Sequence, residues 1–238
     1  MKLDILAFAA HPDDVEISCS GTLMKMIASG SKVGLIDLTR GELGSRGSAE
    51  LRDSEAAAAS SLMGISAREN LGLKDGFFNY DETSLRLVIE KIRAYKPDVV
   101  LCNAPSDRHP DHGRASKLVQ DACFYSGLLK IETSVDGVRQ EPHRPRAVYS
   151  YIQDYYLKPD FVVDVTPFWD KKIEVLKCFS SQFFSPTSDE PKTPISGEEF
   201  FQFLKGRALN VGRPAGYLYG EGFITHRTPG VEGLMDLQ

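Results

Sequence analysis

Cysteine is scarce and scattered in this sequence of 238 residues: Cys19, Cys102, Cys123 and Cys178 are the only four, and no two form a C-x-x-C pair. A disulfide framework or a cysteine-built motif is not expected, and the four read as reduced, packed thiols of a cytoplasmic protein. Long apolar runs are missing too. The longest near the N-terminus, residues 5–10, is ended by His11, Asp13 and Asp14. It falls far short of the roughly 18 residues a bilayer span requires and has no signal-peptide cleavage pattern. Basic residues are in deficit: 28 Lys and Arg face 33 Asp and Glu, a formal charge of −5. A nucleic-acid or membrane partner would need a local basic patch, so neither is expected. No G-x-G-x-x-G follows the first apolar run, and neither G-x-S-x-G nor G-x-x-x-x-G-K occurs. Dinucleotide binding, serine hydrolysis and P-loop chemistry lose their support with those motifs.

What is present is an ordinary globular composition, 42% hydrophobic and 26% charged. A chain of this length buries roughly 70% of its unfolded surface, enough for a core without staples. Residues 3–10 read as a strand buried on both faces, and 14–29 as a helix closed by Gly30. Residues 33–38 make a second strand, and 50–63, with Ala56 to Ala59, a helix ended by Gly64. A weak strand at 69–73 precedes a helix at 84–95 that Lys96 and Pro97 terminate. A fourth strand at 98–102 leads through a polar loop to a helix from about 112 to 125. This alternation predicts an α/β fold, a Rossmann-like parallel-sheet sandwich with helices on both faces, in a single domain spanning 1–238. The motif-bearing half covers about 1–126. The half that shapes the substrate site, about 127–238, reads as strands at 147–152 and 161–165 and helices at 167–179 and 197–209. Residues 185–194, with three prolines, read as a mobile or extended surface loop, and 226–238 as a tail docked on a neighbour.

Two compact motifs carry the chemistry: His11-Pro12-Asp13-Asp14 after the first strand and His109-Pro110-Asp111-His112 after the fourth. Ligands of open parallel sheets bind at the carboxyl ends of strands, so motifs a hundred residues apart can meet in one crevice. His11, Asp14 and His112 supply two imidazoles and a carboxylate, the ligand set of a hydrolytic zinc site that leaves a position for water; iron(II) is possible on ligand type. Asp13, next to Asp14, is the natural base for that water. His109 could stabilise a tetrahedral oxyanion or protonate a departing amine, with Asp111 as its orienting partner. The competing roles are helix capping by Asp13, Asp14 or Asp111.

At these residues the chain resembles the LmbE-like (PIG-L) family of zinc-dependent N-deacetylases. The resemblance covers residues 11–16, Gly21-Thr22-Leu23, the loop 39–44, Arg52 with Glu55, Asp75-Gly76 and residues 109–112. It implies a Rossmann-like fold, one zinc per subunit on His11, Asp14 and His112, Asp13 as base and His109 facing the transition state. It also implies that Asp75 accepts hydrogen bonds from sugar hydroxyls and that Glu42 lines the same pocket. Within the family, Leu71-Gly72-Leu73, residues 169–172 and Ser181-Gln182-Phe183 are most similar to the deacetylases of bacillithiol biosynthesis, which act on N-acetylglucosaminyl malate. Ser18-Cys19-Ser20 departs from the small-residue pattern usual there. The resemblance further suggests a homo-oligomer, trimer or hexamer, with residues 230–238 as a contact segment.

Charge placement speaks to the substrate independently. An acidic chain nonetheless sets Arg40, Arg46, Arg52, Arg108 and Arg114 around the expected crevice, which suits a small acidic amino-sugar conjugate, with Arg52 and Arg108 as its contacts. About half of the five are expected to pair with neighbouring carboxylates instead. Tyr155, Tyr156, Tyr217 and Tyr219 are lid candidates, with packing in the core the more natural role. The expected activity is hydrolysis of the N-acetyl group of a glucosamine conjugate. Inositol, lipid or oligosaccharide conjugates are alternatives to the malate, and a non-catalytic zinc- or sugar-conjugate-binding protein is the alternative of another class.

Overall fold

A computed structural model describes residues 1–183 and 189–236. Strands β1 (Ile5–Ala9), β2 (Val33–Thr39), β3 (Ala67–Leu73) and β4 (Val99–Cys102) alternate with helices α1 (Asp14–Ala28), α2 (Ala49–Met63), α3 (Glu82–Tyr95) and α4 (Pro110–Tyr125). A hairpin of β5 (Ser134–Val135) and β6 (Val138–Arg139) follows. Then come β7 (Ala147–Tyr151), β8 (Phe161–Asp164), α5 (Trp169–Lys177), α6 (Glu199–Gly212) and β9 (Gly220–Thr225).

The main sheet has seven strands in the order β3-β2-β1-β4-β7-β9-β8. Pairings from β3 to β7 are parallel, whereas β9 pairs antiparallel to both β7 and β8. The expected parallel sheet is thus mostly parallel, with one reversed strand that the sequence reading missed. Gly220 and Gly222 make β9 a poor strand by propensity, but close packing requires them. A methyl at Gly220 would meet the Gly212 Cα at 2.8 Å, and one at Gly222 the Pro159 Cβ at 3.0 Å.

Both faces of the sheet are covered, which explains the uninterrupted apolar run of β1. Ile5, Ala7 and Ala9 pack with α1, α2, α5 and α6, while Leu6, Phe8 and Ala10 pack with α3 and α4. Each such Leu or Phe, fully buried, contributes about 2 kcal/mol of transfer free energy. Caps fix the ends of the helices. The Ser48 hydroxyl accepts from Leu51 N at 3.2 Å, Asp81 accepts from Ser84 N at 2.8 Å, and Gly64 closes α2 at φ 83°. The predicted helix at 167–179 is a 3-10 turn, Thr166–Phe168, followed by the shorter α5.

Helix α1 is broken at Cys19 (φ −144°), and the break is capped from a distance. The Glu221 carboxylate accepts from Gly21 N at 3.1 Å and Thr22 N at 2.7 Å, and Lys172 Nζ donates to it at 2.6 Å. Residue 21 must be Gly, since a Cβ there would lie 2.8 Å from that of Val165. Cys19, Cys102 and Cys123 are buried free thiols and Cys178 is half-buried. No helix among the described residues is long and apolar enough to cross a membrane. The Pro-rich segment 185–194 and the tail 226–238 lie partly outside the described residues.

Candidate active site

The strand order reverses between β1 and β4, so the chain leaves their carboxyl ends in opposite directions and opens a crevice there. The turn after β1 carries His11 to Asp14, and the loop after β4 carries Asn103 to His112. The two motifs meet: ring centroids lie 4.6 Å apart for His11 and His109, 5.6 Å for His11 and His112, and 5.2 Å for His109 and His112.

Asp14 lies between the two expected ligand histidines. Its carboxylate is 3.6 Å from His11 Nδ1 and 3.1 Å from His112 Nε2. It also accepts from His11 N, Asn103 Nδ2 and Gln153 Nε2 at 2.9 to 3.0 Å, which fixes it in place. The far nitrogen of each ring is tied to carboxylates. His112 Nδ1 bonds Asp107 at 2.5 Å, and His11 Nε2 bonds Asp75 at 3.1 Å and Asp111 at 3.3 Å. Carboxylates on the outer nitrogens hold each imidazole with its inner nitrogen free to bind, the usual outer layer of a metal site. The donor types therefore fit a divalent metal, although the groups whose ligand atoms all lie within 4.8 Å of one another are His11, His109 and His112, and His11, Asp75 and Asp111, neither of which contains Asp14. Burial alone would push His11 and His112 down. The surrounding carboxylates win, raising His11 well above its ordinary value and His112 to about 9.

Asp13 differs from its neighbours. It occupies the N-cap position of α1 at φ 134°, a conformation that costs a non-glycine residue roughly 1–3 kcal/mol, yet its side chain caps nothing. Burial, followed by the adjacent Asp14 and Glu16 charges, raises its carboxyl to about 7 against the pull of Arg52 and His11. The capping role weighed for Asp13 and Asp14 is not the one the structure shows. His109 instead caps α4, its Nδ1 accepting from Asp111 N at 3.3 Å. Burial and the two neighbouring histidines lower the pKa of His109.

Several expected partnerships are rearranged. The Asp111 carboxylate does not orient His109; it accepts from His11, from Gly76 N at 2.8 Å and from Arg114 at 2.7 Å. Asp75 likewise holds His11, with its second oxygen taking Leu43 N at 2.9 Å. Glu42 does not line the cleft but accepts from Asp75 N at 2.9 Å. Among the arginines, Arg40 pairs with Asp53 and Glu50, Arg108 with Asp154, and Arg114 with Asp111. Buried Arg46 ties its loop to the Ser181 and Pro191 carbonyls. Arg52 is 5% exposed, lines the cleft and makes no side-chain hydrogen bond to the described residues. Its guanidinium lies against Gly41, where a Cβ would collide with it.

The cleft encloses about 440 Å³. The histidine and aspartate cluster lines it together with the apolar side chains of Leu43, Ile195, Phe200 and Phe203. Of the four tyrosines, Tyr155 and Tyr156 are exposed, Tyr219 stacks on Trp169 at 4.5 Å, and none lines the cleft. Sequence reasoning missed Asp107, Asn103, Gln153 and Arg207. Asn103 and Gln153 follow the carboxyl ends of β4 and β7, a position that could have marked them.

An α/β sheet with a buried His/Asp cluster that could hold a metal at its switch point defines the class: an enzyme-type cleft. The model of the family described as GlcNAc-PI de-N-acetylase (PIG-L) matches residues 6–123. The chain belongs to this family. Diacetylchitobiose deacetylase of Thermococcus kodakarensis is 28% identical over 229 residues, 92% of this chain and 81% of that protein. 4-Oxalmesaconate hydratase of Pseudomonas putida is 26% identical over 74% of this chain and 73% of its own length. A probable N-acetyl-α-D-glucosaminyl L-malate deacetylase of Bacillus anthracis is 24% identical over 78% of this chain and 84% of its own. Among solved structures, the conserved protein TT1542 of Thermus thermophilus superposes with a TM-score of 0.84 at 32% identity, covering 97% of this chain and 98% of that one.

Proposed function

We propose that this chain is a zinc-dependent deacetylase that removes the N-acetyl group from a glucosamine conjugate with an acidic aglycone, N-acetylglucosaminyl malate foremost. One observation carries the reading: a donor set of His11 Nδ1, Asp14 and His112 Nε2 stands beside Asp13, a buried carboxylate with no hydrogen-bond partner among the described residues. Those three residues would hold zinc or iron(II), which when bound would supply Lewis-acid polarisation of an amide carbonyl and a more acidic water. Asp13 accepts the proton of the attacking water and returns it to the departing amine. A carboxyl raised toward neutrality is suited to both transfers. His109 accepts the Asp111 N–H at Nδ1, so its neutral ring carries the proton on Nε2 and offers that N–H as a hydrogen bond to the developing oxyanion. Arg52 and Arg108 line the cleft as substrate contacts, and Asp75 serves mainly to hold His11. The assembly expected is a trimer or hexamer.

The test is acetate release from N-acetylglucosaminyl malate and from plain N-acetylglucosamine, with zinc-loaded and chelator-treated protein. Metal-dependent turnover favouring the malate conjugate supports the full reading. Turnover without that preference keeps the deacetylase and moves the aglycone to inositol, lipid or oligosaccharide. No release from the zinc-loaded protein overturns the reading, leaving a binding protein or hydration of an unsaturated acid, the activity named for the Pseudomonas relative.

A further inference from the structure

Resting on the deacetylase reading above, we propose that Arg207 determines specificity by recognising a carboxylate on the aglycone within the cleft that the histidine cluster lines. Phe200, Phe203 and Arg207 are spaced three and four residues apart on α6, so they share one helical face, and all three line the cleft wall. The Arg207 guanidinium lies over the Phe203 ring, 4.6 Å from its centroid. It donates from Nη2 to the Asp154 carbonyl oxygen at 2.6 Å. That is its one hydrogen bond among the described residues, although a guanidinium carries five N–H donors.

The nearest carboxylates do not use the remainder. The Asp154 carboxylate is held by Arg108 Nε at 2.7 Å and stays 3.9 Å from Arg207. Asp107 is committed to His112 and to the backbone N–H groups of residues 154 and 155. The Arg207 side chain is only 16% exposed, so water satisfies little of it. Burial pushes its pKa down, and the Asp154 and Asp107 charges offset only part of that. Stacking on Phe203 and the bond to Asp154 fix the guanidinium plane, which prepares its free edge for a two-pronged contact with a carboxylate. Arg108 and Arg207 face Asp154, while Asp107 beside them is taken up by His112. Arg207 lines the same cleft as the histidine cluster, so a carboxylate bound there would belong to the same ligand as the amide to be cleaved.

The experiment compares N-acetylglucosaminyl malate with its dimethyl ester on zinc-loaded wild-type enzyme, Arg207→Lys and Arg207→Met. Wild type should favour the diacid. Arg207→Met should raise its KM by roughly tenfold or more, the worth of a lost charge-assisted pair, leave kcat for the diacid near wild type and leave the ester unaffected. Arg207→Lys should recover part of the loss. Equal losses on both substrates would show that Arg207 only supports the wall through Asp154, and that result overturns the proposal. So would an unchanged diacid KM, or a wild type indifferent to the ester. If wild type cleaves neither compound, the deacetylase reading fails by itself. Calorimetric binding of glucosaminyl malate and of its diester to wild type and Arg207→Met then decides the carboxylate contact, with melting curves checking that the variant is folded.

Discussion

Asp13 holds a strained backbone and a buried carboxylate with no hydrogen-bond partner among the described residues, a combination that costs stability and suits a carboxylate free to act. Asp13→Asn should therefore lower turnover by about a hundredfold or more while metal content, read by elemental analysis, stays at one per chain. His112→Ala should lose the metal itself. If Asp13→Asn turns over like wild type, another group is the base. Asp107→Asn separates ligation from its support: the His112 Nδ1 bond at 2.5 Å would lose its anionic acceptor. Zinc affinity measured by competition with a chelator should fall roughly 10- to 100-fold. An unchanged affinity would mean that Asp14 alone orients the ring.

Loop 41–47 is an element held by its neighbours more than by itself. Gly41, at φ 65°, lets the Arg52 guanidinium lie flat on the loop, and Glu42 and Leu43 bond Asp75. Gly41→Ala should cost about 1 kcal/mol from the backbone alone and raise KM by displacing Arg52, with metal content unchanged; an unaltered KM removes Arg52 from the substrate contacts. The edge of β8 and β9 responds to pH. Asp160 accepts from the Thr225 N–H and hydroxyl, and Asp164 from Thr166 N–H, so both carboxyls sit below their ordinary value, Asp164 despite some burial. A carboxyl depressed in the folded state contributes stability above about pH 4, and that contribution disappears as pH falls through the folded value. Hydrogen exchange should show protection at Thr225 and Thr166 amides lost on acidification before that of β1. Most elements of the first 125 residues were legible because an apolar run or helical period ends at a Gly, Pro or capping residue, although the break at Cys19 in α1 was not, and the two His-Pro-Asp motifs because their residues are contiguous. Asp107 and Gln153 were not, since their meaning comes only from pairing across β4 and β7. Strand β9 hid behind its glycines, and the β5–β6 hairpin behind a two-residue Asp136-Gly137 turn, both residues at positive φ, that passed unread.

Taken as a whole, the molecule concentrates buried acid in one place: Asp13, Asp14, Asp75 and Asp111 surround the histidines, with Arg52 beside them in the cleft and Arg114 paired to Asp111. A bound divalent cation relieves that repulsion, so metal loading should stabilise the entire fold. With free zinc about a thousandfold above its Kd the gain is about 4 kcal/mol, roughly 10 °C in melting temperature for a chain of this size. Calorimetry of loaded and chelated protein measures it, and equal melting temperatures would refute metal binding at this cluster. The placement of β9 bears on biogenesis. As the chain emerges from the ribosome, β1 to β4 and β7 can already assemble, but β8 has no sheet neighbour until residues 220–225 arrive between it and β7. Chains that have not yet supplied β9 thus carry an open β7 edge and a stranded β8, surfaces that invite pairing with other chains, which makes the arrival of β9 the step that closes this side of the sheet.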